Sequence, residues 1–378
     1  MRDTYYELLS VAQWRYPVKT RYSIFEAVGE GGDGTIKVAI REGDLAETDA
    51  AEWVGREPDG VANGSAQLLK LLILHGDPKD LEGTGRLRCS GALYRCLEQK
   101  WSLPTQALKA LLAQNAGGGI TSAGQSGLAF CMNGPAIKRF GLLHDPETGV
   151  THALLESWSD DALAEVLKDL KTISEASCIP SALPLVTLQY IAREQASVVQ
   201  NIAEKGGRIR TSLDLEPLAM RTPARFEDYT DLALTTLELT KMSQEAAALT
   251  LGMQAAKDLV RVVTDMHDQF YDPAQWSMLP ADRELWCDLA DRLYELTATM
   301  DFSRQQLSMH EKMIQALVQT VYSLSASRDN KLNYQATEAA RRDSSDMRVI
   351  AWVTLGFLPA TFVAVSQVQD ALAHPWIE

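Results

Sequence analysis

Cysteine is sparse in this chain, cations are outnumbered, and a long uninterrupted apolar run occurs only near its end. The five cysteines among 378 residues, Cys89, Cys96, Cys131, Cys178 and Cys287, are odd in number and never spaced Cys-x-x-Cys. That disfavours a zinc site or a complete disulfide framework and reads as reduced thiols. Lysine and arginine total 36 against 50 acidic residues, for a net charge of −14, and no basic run stands out. Nucleic acid and anionic membrane surfaces are poor partners for such a chain, because phosphate recognition needs clustered cations. Residues Met1–Tyr16 interleave Asp3, Glu7 and Arg15 with apolar side chains. They lack the apolar stretch of a secretion signal, and the start of the chain is expected in the cytosol. The glycines of Asn115–Gly127 fit neither phosphate-loop spacing, and Ser126, in Gly-Gln-Ser-Gly, lacks the spacing of a nucleophile elbow. This segment is expected to be a flexible loop.

What is present divides the chain in two. Residues 1–158 are expected to form a mixed α/β domain. Thr35–Arg41 alternates like a strand, Leu68–Leu74 reads as a buried strand or a helix start, and Ala92–Glu98 and Pro104–Ala113 read as helical. The glycine-rich Gly29–Gly34 and Asn115–Gly127 are expected to interrupt this domain as loops. From 159 to 279 the pattern is helical only. A helix is expected over Asp160–Ser177, opening on acidic residues that suit a helix N-terminus. Others are expected over Leu183–Lys205, closed by Gly206–Gly207, and over Phe226–Tyr271, weakened at Gly252 and ended by Pro273. The fold class is therefore α+β, with a mixed α/β domain followed by an all-helical region and one very long C-terminal helix.

That helix is expected over 280–358, with Pro280 just before it and Pro359 kinking or ending it. Apolar residues recur at spacings of three and four through Trp286, Leu289, Leu293, Leu296, Met300, Leu307, Ile314, Leu317, Val321 and Leu324. Continuous from Ala281 to Leu358, it would run on the order of 115 Å at 1.5 Å per residue. The 286–324 seam is expected to join copies of the chain into a homo-oligomer. Beyond it, Val349–Gln369 carries no charge. Its length approaches the ~20 residues that cross a bilayer core, but Pro359, Ser366, Gln367 and Gln369 spoil its second half. The segment (349–369) reads as a single membrane span or as a buried packing helix, and its shortness favours the packing helix.

Two acidic stripes are the candidates for chemistry. Asp258, Asp265, Asp268 and Asp272, spaced seven, three and four, fall on one helix face, where carboxylates could hold Mg²⁺ and, through it, a diphosphate. Lys257 and Arg261 lie near enough in sequence to bind phosphate oxygens. The plainer reading, a solvated face opposite Leu259, Val263, Met266 and Phe270, is the commoner use of such a pattern. The second stripe, Glu284, Asp288, Asp291 and Glu295, is read in the same way, with Arg283 and Arg292 compensating. His310 sits in the apolar seam, where a polar residue can fix register. His267, between Asp265 and Asp268, is the better histidine for a site, though a minor one.

The segment Ser327–Ala364, SRDNKLNYQATEAARRDSSDMRVIAWVTLGFLPATFVA, resembles the C-terminal part of fungal CorA-like proteins, divergent relatives of CorA-type magnesium transporters. Arg328, Asp329, Leu332, Asn333, Arg342, Asp343, Ser344, Ser345, Met347, Ile350, Phe357, Leu358, Pro359, Thr361 and Phe362 carry the match. A weaker similarity covers Leu142–Ile191 through His152, Trp158 and IPSALPLVTLQYI. The resemblance implies an α/β domain, a helical stalk and a membrane span. The family's transporters have two spans and a Gly-Met-Asn tripeptide; here one span is visible, Gly252–Met253 is followed by Gln254, and Met132–Asn133 lies far upstream. The resemblance therefore implies divalent-cation (Mg²⁺) binding or assembly more than autonomous transport. Two other readings stand beside it. One is a soluble, mostly helical Mg²⁺-dependent enzyme acting on a diphosphate or other anionic small molecule, in the manner of terpene cyclases although without their Asp-Asp-x-x-Asp signature. The other is a non-catalytic helical interaction protein. On all three the chain is cytoplasmic, with membrane association through its C-terminal segment on the first.

Overall fold

A computed structural model describes residues 21–32, 35–56, 66–75, 91–101, 119–122, 125–131, 137–145, 148–157, 159–173, 176, 178–213, 232–270 and 280–373. Seven strands make one sheet: β1 (Arg21–Gly32), β2 (Thr35–Leu45), β3 (Ala66–His75), β4 (Gly119–Ser122), β5 (Gln125–Cys131), β6 (Ile137–Asp145) and β7 (Val150–Ser157). Their order is β2-β1-β3-β7-β6-β5-β4. Every junction is antiparallel except the central one, where β3 runs parallel to β7 with Leu68 beside Val150 and His75 beside Ser157.

The strands expected at Thr35–Arg41 and Leu68–Leu74 are present, and both glycine-rich loops are corrected. Gly29, Gly31 and Gly32 belong to β1 and pair with Val38, Ile36 and Thr35 of β2. Gly119 and Gly127 likewise lie in the β4–β5 hairpin, paired with Leu128 and Ile120. Glycine weakens a strand but still offers both backbone hydrogen-bonding groups, and opposite most of these glycines a β-branched partner, Val38, Ile36, Thr35 or Ile120, carries the strand preference.

Both faces of the sheet are covered, and the period of two assigns each residue to a layer. Tyr22, Ile24, Leu72, Leu74, Leu143 and Leu154 point to one face, where Ala50, Trp53 and Val54 of α1 (Glu47–Gly55) and Leu93 and Leu97 of α2 (Gly91–Lys100) pack with them. The opposite face presents Phe25, Ala27, Leu69, Leu71, Ile73, Phe140, Leu142, Ala153 and Leu155 to the helical region. Double coverage explains why LLKLLIL is apolar almost without alternation.

Four helices build that second layer: α3 (Asp160–Thr172), α4 (Ala182–Ser212), α5 (Leu232–Phe270) and α6 (Pro280–Ala373). The Ser159 hydroxyl caps α3 by accepting from the Ala162 amide at 3.2 Å, above the acidic first turn of Asp160 and Asp161; such caps contribute about 1 kcal/mol. α3 stops at Thr172, short of the expected Ser177. Beyond it, three-residue turns bonded Ala176 to Ile173, Ile179 to Ala176 and Ala182 to Ile179 bring Ala176, Cys178 and Ile179 into the core. α4 runs through Gly206–Gly207 instead of ending there. Ile202, Ile209 and Leu213 keep a buried periodicity across the pair, and that packing outweighs the roughly 1 kcal/mol each glycine costs a helix. α5 is likewise unbroken at Gly252, and the expected helix starts and stops at 226–231 and Pro273 lie outside the described residues, as does Pro104–Ala113.

The chain forms two compact units, Met1–Arg208 with Met242–Lys312, and Ile209–Lys241 with Met313–Glu378. The first contains the sheet and the core just described. In it Trp286, Leu289, Leu293, Leu296 and Met300 of α6 pack with Ala256, Leu259, Val260, Val263 and Met266 of α5. The second buries Leu239 of α5 and Ile314, Leu317 and Val321 of α6. The 286–324 seam is therefore used within one chain. Periodicity reports that a face is buried and not what buries it, and the buried positions of the seam pack inside the chain. The long helix is present and exceeds its expected bounds, 94 residues with Pro359 inside. A proline removes one intrahelical bond without stopping the turns on either side of it, and proline is tolerated in apolar helices of this kind.

Candidate functional site

The first acidic stripe lies on α5 with Asp258, Asp265 and Asp268 all exposed, opposite buried Leu259, Val263 and Met266. Asp272 falls outside the described residues. Along the helix axis Asp258 and Asp265 are separated by about 10 Å, so they do not share an ion. Asp258 accepts from Gln254 Nε2 at 2.9 Å, and Lys257 Nζ donates to Asp301 of α6 at 2.6 Å. Lys257 is thus committed to a carboxylate, while Arg261 is exposed. Among the described residues no group of three or more His, Cys, Asp or Glu side chains is placed to hold a metal. The second stripe is exposed too, with Asp288 held by Arg292 at 2.8 Å. His310 is half-buried.

His267 points inward instead. It is buried, its Nδ1 lies 2.8 Å from Ser181 Oγ, and its ring lies 4.3 Å from that of Trp286 at 32°. Burial pushes its pKa down, against the charge of Asp268 and a backbone hydrogen bond to Trp286. These interactions tie α4, α5 and α6 together and leave the ring no open position for a ligand.

Sequence reasoning passed over the polar group under the α1–α2 layer. Lys70, in the middle of an apolar strand, is buried opposite Glu26 in the β1–β3 register. Its Nζ donates to the carbonyls of Trp53 at 3.1 Å and Arg56 at 3.0 Å, and lies 4.6 Å over the Trp53 ring, whose Nε1 donates to Glu26 at 2.9 Å. A cation is thereby placed on the orphan carbonyls at the end of α1. Desolvation lowers the Lys70 pKa, partly offset by Glu26. The usable signal was the lysine itself, since a charge inside LLKLLIL must find partners when buried.

His152 stacks on Trp101 at 4.8 Å and 23° in the same layer. Burial, and then the charge of Lys70, push its pKa down to about 4. His144, 3.0 Å from Thr151 Oγ1, is pushed to about 4 by burial as well. Both rings are neutral when folded, whereas unfolded histidine takes its proton near pH 6.5. Below that pH the unfolded chain binds more protons, so stability falls as pH drops from about 6.5 towards about 4. Thermal melting between about pH 7 and about pH 5 should show this slope. Replacing both His144 and His152 by Gln should flatten it, and an unchanged slope would assign it to other groups.

The remaining candidate is the end of α6. An 18-residue window there reaches a mean hydropathy of 1.9, and none of it is buried. Trp352, Leu355, Phe357 and Phe362 are each more than 60% exposed. Met347, Ile350, Ala351, Thr354, Leu355, Leu358, Pro359 and Phe362 line an apolar groove of about 710 Å³ along the helix. The segment is as apolar as a core helix, yet among the described residues none covers it.

No protein-family model matches this chain, and no curated protein sequence does. Among solved structures it is similar to that of the full-length CmaX protein, at 15% identity over 90% of this chain and 85% of that one, with a TM-score of 0.43. It is similar to the ZntB cytoplasmic domain from Vibrio parahaemolyticus at 9% identity, over 78% and 97% of the two chains, with a TM-score of 0.40. The complete CorA magnesium transporter from Methanocaldococcus jannaschii is similar at 11% identity over 96% and 89%, with a TM-score of 0.39.

Proposed function

We propose that this chain is a membrane-anchored, CorA-like protein, in which α6 carries an α+β head into the bilayer. The observation that carries the proposal is the complete exposure of the apolar end of α6. The exposed large apolar side chains from Met347 to Val368 are unfavourable in water, at about 25 cal/mol per Å² of apolar surface, and favourable in lipid. The match over Ser327–Ala364 coincides with the descent into that segment. Arg341, Arg342 and Arg348 precede it, which sets the head on the cytoplasmic side. On this reading the chain associates with Mg²⁺ or another divalent cation and assembles with further subunits, instead of conducting alone. Its role in the assembly would be that of a cytoplasmic head carried on the apolar end of α6.

Fractionation tests the anchor: the expressed chain should pellet with membranes and be released by detergent only. Recovery as a soluble particle would end the proposal. For the cation, the exposed face of Asp258, Asp265 and Asp268, with Arg261, is the proposed region of weak association. Separated carboxylates of this kind bind through hydrated contacts, in the millimolar range. A Mg²⁺ titration followed by calorimetry should show weak binding that the pair Asp265→Ala and Asp268→Ala reduces, with stability changed by less than about 0.5 kcal/mol. An unaltered titration would remove this face from consideration.

A further inference from the structure

Four side chains from four elements meet where β1, β2 and β3 approach the first turn of α3. Ser23 Oγ lies 2.5 Å from Asp44 Oδ1 and 2.7 Å from His75 Nε2, and His75 Nδ1 lies 2.9 Å from Asp160 Oδ1. Arg21 reaches both carboxylates, Asp44 at 3.5 Å and Asp160 at 3.3 Å. The His75 side chain is only 10% exposed between them.

Counting protons along this chain decides its state. Three short contacts link the four residues, so three hydrogens are needed. Both carboxylates are acceptors when ionised, and a serine hydroxyl has one hydrogen to give. That hydrogen goes to Asp44, whose pKa is lowered first by the bond from Ser23 and then by the charges of Arg21 and His75. The Ser23 oxygen can then only accept from Nε2, while Asp160 accepts from Nδ1. A neutral ring has one N–H and satisfies two of the three contacts; the imidazolium satisfies all three. Charge agrees with this count, since Arg21 and the imidazolium balance Asp44 and Asp160, whereas a neutral ring leaves one negative charge uncompensated.

We propose that Asp44, Ser23, His75 and Asp160 form a proton-operated clamp between the sheet and the start of α3, closed when both ring nitrogens of His75 carry hydrogen. Among the described residues Arg21 and Ser23 of β1, Asp44 of β2 and Asp160 of α3 contact one another around the ring, and Ser157 of β7 pairs with His75 on the other side, its hydroxyl donating to the Ser159 carbonyl. Losing the second proton breaks one link, and the first turn of α3 then holds less firmly to the strands. α3 leads into α4, so the clamp makes the joint between sheet and helices respond to the protonation of one ring.

The test compares the full, detergent-solubilised chain with the Asp44→Asn variant. An asparagine amide can donate to Ser23 Oγ, freeing the hydroxyl hydrogen for Nε2, so a neutral ring then completes every contact. Nitrogen NMR of the ring across a pH series, assigned with His75→Gln, should show both nitrogens protonated in the closed natural chain and, at the same pH, only Nδ1 protonated in Asp44→Asn. Hydrogen exchange at the Ala162 and Leu163 amides should rise by roughly threefold beyond the base-catalysed trend as the natural chain loses that proton. In Asp44→Asn this step should be absent. A singly protonated ring in the natural chain, or an equal step in both proteins, would overturn the clamp.

Discussion

Replacing Leu355→Arg together with Leu358→Arg is expected to move the chain from the membrane fraction to the soluble fraction. Both side chains are at least 60% exposed in the middle of the apolar end of α6, so nothing in the chain has to rearrange to accept them. Each arginine near the centre of a spanning helix costs about 2.5 to 3.5 kcal/mol on insertion scales. The pair therefore costs about 5 to 7 kcal/mol, a factor of roughly ten thousand or more in partition. The head should keep its melting temperature, because the core around the sheet lies elsewhere in sequence. Retention of the double variant in membranes would mean that another part of the molecule does the anchoring.

The second large effect is expected at Trp286. This side chain is buried in the core shared by α5 and α6 and stacks against His267. Trp286→Ala should cost about 3 to 5 kcal/mol, from lost burial plus an unfilled cavity. The loss should not depend on protein concentration, since the residue packs within one chain. If Trp286 instead sat between subunits, the variant's melting temperature would rise with concentration by mass action. Tyr294→Ala, on the 78% exposed side of the same helix, is the control and should change stability by no more than about 0.5 kcal/mol.

These two residues also mark how far the sequence could be read. The spacing of Trp286, Leu289, Leu293 and Leu296 showed a helix with one apolar face, because that pattern is local. It could not show whether α5 or a second subunit covers the face. Leu355 and Phe357 look equally apolar in a core helix and in a span, and the structure adds that among the described residues none covers them. The strands with apolar alternation, Thr35–Arg41 above all, were legible; those built on Gly29–Gly32 and Gly119–Ser122 were not, since their order comes from backbone pairing with a partner strand. Asp258, Asp265 and Asp268 lie exposed opposite Leu259, Val263 and Met266, but spacing alone does not say whether such a face holds an ion. The group around His75 was invisible for a different reason: Ser23, Asp44, His75 and Asp160 are brought together only by strand register and the docking of α3.

The parallel pairing of β3 with β7 divides the sheet into two antiparallel blocks, β1 to β3 and β4 to β7, each built from strands near one another in sequence. Hairpins such as β1–β2 and β4–β5 close in microseconds, whereas aligning Leu68 with Val150 requires closing a loop of about 80 residues before any contact repays the entropy. Assembly of this head should therefore proceed in two stages, with the central ladder as the late step. During synthesis the first block would leave the ribosome with the β3 edge bare until β7 arrives. That interval, more than the finished fold, is when the apolar strand LLKLLIL is exposed to aggregation.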